Sequence, residues 1–275
     1  MSASNWGDSY RLVASEKWKQ KSAAMGRHVT QALVEYADPK PGMRVLDVAS
    51  GTGEPAITIA SRLKAAGEVV ATDLSTELLA IAEERARQRK LMNFSAQQAD
   101  AHQLPFPDKT FDLATSRFGV MFFANVERAF AELRRVLKPG ARACFAAWGP
   151  FEQPYWLSTI GVVLANVGGP LLAPDGPDPF RFAQPGSLTA ALRATGFKEI
   201  QEETRTVPWT WPGAPEEVWE QLKAVTAPFK PLLARVPKGE WERIDGEVCA
   251  AIQEHINDDE IRFGATIVLA SGVNP

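Results

Sequence analysis

Between about residues 41 and 149, short apolar segments alternate with longer stretches in which apolar residues recur every three to four positions. The segments MRVLDVA, EVVATD, NFSAQQAD, FDLATSRF and ARACFAAW have the length of strands. Pro55 to Lys64, Ser75 to Lys90 and Asn125 to Lys138 have the period of helices. In the last, Val126, Ala129, Phe130, Leu133, Val136 and Leu137 fall on one face, with Glu127, Arg128, Glu132, Arg134 and Arg135 elsewhere; Lys138-Pro139-Gly140 predicts its end. Strands joined through helices of that length need right-handed crossovers, so the pattern predicts a doubly wound α/β core with a mostly parallel sheet and helices on both faces.

The flanks read differently. Met25, Val29, Ala32, Leu33 and Tyr36 share one helical face, which Asp38-Pro39 and Pro41-Gly42 end; residues 1–40 are expected to form an N-terminal helical arm or lid. After Trp148 the periodicity dissolves into proline, glycine and aromatic residues, so residues 150–185 are expected to be a cap inserted after the fifth strand. SLTAALRATGFKEI predicts a helix running into a strand, helices follow near Glu216 to Lys223 and Glu240 to Glu254, and IRFGATIVLA predicts a last strand. Residues 186–275 would thus complete a seven-stranded sheet and the substrate cavity around the 41–149 core.

Composition narrows the class of partner. At 275 residues the chain can bury a large core, and its formal net charge of −3 offers no field for a polyanion, so nucleic acid is not expected. Cys144 and Cys249 are too few and too far apart for a disulfide framework or a metal cluster, which predicts no metal site and a cytoplasmic setting. The run from Ile160 to Ala173 is broken by Asn166, Gly168, Gly169 and Pro170, short of the ~18 apolar residues of a membrane span. MSASNWGDSY lacks the pattern of a signal peptide.

The chemistry centres on VLDVASGTGEPAI, Val45 to Ile57. In an open parallel sheet the ligand lies beyond the carboxyl ends of the strands, where strand order reverses. Gly51 and Gly53 let the backbone turn there, and Asp73, 20 residues after Gly53, is placed to accept hydrogen bonds from ribose hydroxyls. Gly51, Gly53 and Ala56 also fit the spacing of a nicotinamide-dinucleotide loop. Asp47 and Asp100 separate the two readings. A carboxylate before the glycine turn suits an ammonium group, and one after the third strand suits the amine of an adenine; a cationic, amino-acid-bearing adenosine fits them better than a dinucleotide.

VLDVASGTG, ATDLS, AQQADAHQLPFPDKTFDLATSRFGVMFF and RVLKPGARACFAAW, in that order, resemble the successive motifs of class I S-adenosylmethionine-dependent methyltransferases, most of all the branch of the ubiquinone/menaquinone-biosynthesis C-methyltransferases. The resemblance is strong over residues 41–149 and loose elsewhere. It implies a Rossmann-like methyltransferase fold and S-adenosyl-L-methionine as cofactor. It also implies that Ala49, Gly51 and Gly53 wrap the methionine part, Asp73 holds the ribose, Leu74 lies against the adenine, and Asp100 and Ala101 address the adenine edge. Ser116 and Arg117 would face the methionine end, and Phe118 the methyl group. Ala49 stands where the family usually has glycine, which predicts a slightly less free loop.

An activated methyl needs an aligned nucleophile more than a catalytic triad, with a base only where the acceptor must lose a proton. His102 is the candidate base, with Tyr10 and Glu16 behind it; structural roles are expected for His28 and His255. Trp148, Tyr155 and Trp156 are expected to meet the acceptor, a small apolar or aromatic molecule. A homodimer is compatible with the sequence. The competing readings are an NAD-dependent oxidoreductase built on Gly51-Thr52-Gly53-Glu54-Pro55-Ala56 and a protein that binds S-adenosylmethionine without transferring its methyl.

Overall fold

A computed structural model of the chain describes residue 21 and residues 24–275. The core alternates as its sequence pattern predicts: α1 (Arg27–Ala37), β1 (Arg44–Val48), α2 (Ala56–Leu63), β2 (Glu68–Asp73), α3 (Thr76–Gln88), β3 (Phe94–Gln98), β4 (Phe111–Arg117), α4 (Val126–Val136) and β5 (Leu137–Trp148). Two of the helix starts, those of α3 and α4, are written in their caps. The Ser75 hydroxyl accepts the Leu78 N–H at 3.3 Å, and the Asn125 side chain accepts the Arg128 N–H at 2.8 Å. Helix α4 buries Val126, Ala129, Phe130, Leu133 and Val136, the face its spacing predicts.

The strand order is β3-β2-β1-β4-β5-β8-β6. The first five pair in parallel, and β8 (Glu260–Val273) enters antiparallel between β5 and β6 (Lys198–Trp211). Strand order reverses between β1 and β4, so their carboxyl ends diverge and open a crevice there. The strands β1, β2 and β4 are buried along most of their length, as a sheet covered on both faces requires.

Helix α4 stops at Val136, just before the Lys138-Pro139-Gly140 that predicts its end; Leu137 already pairs with Phe111 and Arg142 with Leu113, so the tripeptide lies in a bulge of β5. Two features depart from the sequence reading. A two-residue strand β7 (Ile256–Asn257) adds an eighth strand by pairing with β8, closed by Asp258 and Asp259 with φ of 50° and 60°. The strand β6 runs on from its predicted Lys198-Glu199-Ile200 start to Trp211, as an edge strand that carries Lys198, Glu199, Glu202 and Pro208.

Beyond β5 the chain is more regular than its composition suggests. Pro154–Trp156, Leu157–Gly161 and Val162–Val167 form one helical segment, α5, with a π-helical middle. After α6 (Ser187–Ala194) and β6, helix α7 (Pro215–Val225) packs on α8 (Trp241–Gln253), which also contacts α5. No described helix is long and apolar enough to cross a membrane.

Candidate active site

The loop after β1 turns through left-handed backbone at Ala49 (φ 55°), Gly51 (φ 55°) and Gly53 (φ 103°). The two glycines serve different ends. A Cβ at Gly51 would meet nothing within 4 Å, so the loop is open there, whereas one at Gly53 would lie 2.6 Å from Ile57 Cδ1 and 2.9 Å from Ala82 Cβ. Gly53 therefore lets the loop press onto α2 and α3 and does not line the cavity. Asp73 ties the loop to β2: its carboxylate accepts the Gly51 N–H at 2.9 Å and the Ser75 N–H at 3.0 Å. Burial raises its pKa against the pull of those bonds.

Ala49, Gly51, Asp73, Leu74, Asp100, Ala101, His102, Arg117 and Phe118 line one cavity at the reversal of strand order. Asp47 and Ser116 do not. Asp47 is fully buried beneath the loop, where its Oδ1 accepts the Thr115 hydroxyl at 2.7 Å and its Oδ2 has no hydrogen-bond partner. Burial pushes this carboxyl up to about 7, opposed by the Ser50 and Thr115 hydroxyls and the charge of Arg117. The ammonium-binding role expected of Asp47 is thus corrected to that of an inner brace. Ser116 is likewise fully buried, packed under the turn at Gly119.

His102 lines the cavity and is held from both sides. Its Nδ1 lies 2.5 Å from Asp100 Oδ1, and its Nε2 accepts the Asn125 N–H at 3.1 Å, so the ring takes the Nδ1–H tautomer and both nitrogens are engaged. The ring fixes a carboxylate and the start of α4. Burial works against the Asp100 charge, yet the His102 hydrogen bonds and Arg128 prevail and hold its pKa below the usual carboxylate value. His255 meets the Ser158 hydroxyl at 2.9 Å and packs on Phe263. Tyr10 and Glu16 lie outside the described residues.

A second cavity adjoins the first through Phe118 and Phe122, which line both. Its walls include the expected Trp148, Tyr155 and Trp156, and also Met25, Met121, Trp209, Gln221 and Phe229. Its described lining carries no carboxylate, ammonium, guanidinium or imidazole. Trp148 is the hub: Trp156 and Trp209 meet it edge-on at 5.2 and 5.0 Å. Trp156 Nε1 and Gln221 Oε1 are buried without hydrogen-bond partners. Burial pushes the Tyr155 hydroxyl up from its ordinary value, with Trp209 opposing. Sequence reasoning missed Leu78, Ala99, Phe122 and Phe123 of the first cavity, although the last three lie inside a quoted motif and Leu78 lies three residues past ATDLS; nothing local marks Gln221 or Phe229.

Residues 46–145 match the model of a methyltransferase domain family. A ubiquinone/menaquinone biosynthesis C-methyltransferase of Burkholderia cenocepacia is 34% identical over 146 residues, 52% of this chain and 60% of that protein. A demethylmenaquinone methyltransferase of Thermus thermophilus is 36% identical over 176 residues, 60% of this chain and 78% of that protein. The chain belongs to the class I S-adenosylmethionine-dependent methyltransferase family. It spans about 60% of the length of the first curated relatives it matches. The fold agrees: phosphoethanolamine N-methyltransferase 2 of Haemonchus contortus superposes with a TM-score of 0.60 at 20% identity, covering 100% of this chain and 60% of that one. A nicotinamide reading of the glycine loop is not favoured, since the antiparallel β8 and edge strand β6 stand where a second nucleotide-binding half would be. The first cavity fits the family's cofactor: the loop is open at Gly51, Asp73 and Asp100 present carboxylates, and Leu74 and Ala101 present apolar surface.

Proposed function

We propose that the chain is an S-adenosylmethionine-dependent methyltransferase acting on a small, apolar or aromatic acceptor that is uncharged where it is enclosed. One observation carries this reading: an acid-lined cavity and a charge-free aromatic cavity share the Phe118–Phe122 wall. When bound, S-adenosylmethionine supplies a methyl group already activated by its sulfonium. Ala49, Gly51 and Arg117 would hold the methionine part, Asp73 the ribose, and Leu74, Asp100 and Ala101 the adenine. Phe118 and Trp148 would orient a flat acceptor and exclude water. The two curated relatives are named for ubiquinone/menaquinone biosynthesis and for demethylmenaquinone, and a ring-shaped acceptor suits this aromatic wall. The orphaned Trp156 N–H and Gln221 carbonyl suit an acceptor that also bears a hydroxyl or carbonyl.

Residues 24–40 and 150–185 are proposed as covers of the two cavities, supported by Met25 and Pro179 in the second; the rest of the arm expected over residues 1–40 lies, Lys21 apart, outside the described residues. A cytoplasmic setting accords with the buried Cys144, whose thiol burial pushes up to about 12. Thermal shift with S-adenosylhomocysteine and with NAD, followed by mass-spectrometric detection of methylated products from a library of phenols and quinols, tests the proposal. Stabilisation by S-adenosylhomocysteine with methyl transfer is expected. Stabilisation by NAD alone, or cofactor binding with no product from any ring acceptor, overturns it.

A further inference from the structure

On the outer side of the glycine loop lies a groove whose positive charge is only half matched. It crosses α2 between α1 and α3, and its walls carry Arg27, Arg62, Arg85 and Arg89 against Glu35 and Glu54. Two arginines are committed to carboxylates, Arg62 to Asp38 at 3.1 Å and Arg89 to Glu54 at 3.4 Å. Glu35 is drawn off toward Arg205 at 3.7 Å. Arg27 donates from Nε to His28 Nε2 at 3.1 Å, and Arg85 donates from Nη1 to the Thr52 carbonyl and hydroxyl oxygens at 2.7 and 3.1 Å. Among the described residues neither of these two has a carboxylate within 4 Å.

A partly buried guanidinium with only neutral partners is costly, and a second one opening on the same space adds repulsion. Burial lowers the Arg85 pKa, with Arg89 and Arg117 adding to the fall against the pull of the Glu54 charge. Guanidinium forks match phosphoryl oxygens two at a time, and a groove of about 390 Å³ has room for more than one such group. Thr52 sits between Gly51 and Gly53, so whatever binds Arg85 also touches the partner of the cofactor loop.

We propose that this groove binds a small phosphoryl-bearing anion through Arg27, Arg85 and Arg89, and that its occupancy is transmitted to the cofactor loop by the Arg85–Thr52 contact. The binding stands without the methyltransferase reading; only its coupling to the cofactor rests on that reading.

Calorimetry of the full chain with inorganic pyrophosphate, at constant ionic strength and with or without saturating S-adenosylhomocysteine, tests it. One saturable site is expected, retained in the presence of S-adenosylhomocysteine. It should weaken roughly tenfold or more in the Arg27→Ala/Arg89→Ala variant, the loss appropriate to charge-assisted hydrogen bonds. Both positions are exposed, so the variant should keep the parent Tm, measured alongside. S-adenosylhomocysteine affinity should change on adding pyrophosphate to the parent and not to the variant. Absent saturation, equal affinity in the variant, or displacement by S-adenosylhomocysteine overturns the site. An unchanged S-adenosylhomocysteine affinity overturns the coupling. Pyrophosphate binding in a chain that takes no S-adenosylhomocysteine upholds the site and removes the function proposed above.

Discussion

Phe118 lies face to face with Trp148, ring centroids 4.5 Å apart and 9° from parallel. Phe118 follows β4 in left-handed backbone (φ 60°) and lines both cavities, so the ring is held at their shared wall by a backbone conformation that a bulky residue rarely adopts. Phe118→Ala merges the two spaces. Once an acceptor is in hand, kcat/KM is expected to fall by about 10²-fold, the effect of a reactant misplaced by an ångström, with S-adenosylhomocysteine affinity nearly kept. Steady-state kinetics beside calorimetry checks this; an equal loss in both would move Phe118 into the cofactor site.

Asp73 serves the loop and the cavity together, since one carboxylate accepts the Gly51 and Ser75 amides and also lines the space expected to hold the ribose. Asp73→Ala is expected to weaken S-adenosylhomocysteine binding by about 1–3 kcal/mol, the range for hydrogen bonds to a charged group. Calorimetry reads it directly, and unchanged affinity would leave Asp73 with the loop alone.

How far these roles could be read from sequence depends on how local their causes are. The 41–149 core was legible because the parallel strands β1, β2 and β4 are largely apolar runs and helices α3 and α4 carry side-chain caps, at Ser75 and Asn125. Asp73 and Asp100 were legible as acids at the ends of successive strands, both of which reach the cavity. Asp47 misled: its strand end is right, but β4 approaches closely enough for Thr115 to bond its carboxylate, and only the β1–β4 register determines that. The second cavity draws Met25 and Gln221 from opposite ends of the chain, and no spacing rule joins them. Polar β6 hides its length because an edge strand needs no apolar run.

Ala49 and Gly119 are a matched pair. A Cβ on Gly119 would come 2.5 Å from the Ala49 methyl and 2.7 Å from Ser116 Oγ, so the alanine in the cofactor loop is accommodated by the missing side chain opposite. Gly119→Ala is expected to cost about 1–3 kcal/mol, as overpacking does. In Ala49→Gly/Gly119→Ala part of that should return, because glycine removes the closer of the two clashes, leaving that with Ser116 Oγ, and accepts the positive φ. A double-mutant cycle by urea denaturation should give a coupling of about 1 kcal/mol or more. Additive effects would mean that the two loops do not bear on one another.

The buried Asp47 carboxyl should make stability fall as pH rises toward neutrality. Its pKa is raised to about 7 in the folded chain from 3.8, so between those values the native state holds a proton that the unfolded state has released. Stability from this group is fully present below the unfolded value and is lost as pH climbs through the folded one, by at most about 4 kcal/mol. Oδ2, which has no hydrogen-bond partner, is the natural place for the proton, while Oδ1 keeps the Thr115 hydroxyl. Asp47→Asn retains an acceptor for Thr115 and cannot ionise. The difference in unfolding free energy between parent and Asp47→Asn, followed from pH 4.5 to 8, cancels the other titrating groups. It should move in favour of the variant as pH rises. A pH-independent difference would mean that Asp47 is charged throughout this range, with compensation from Arg117 or its neighbours outweighing the cost of burial.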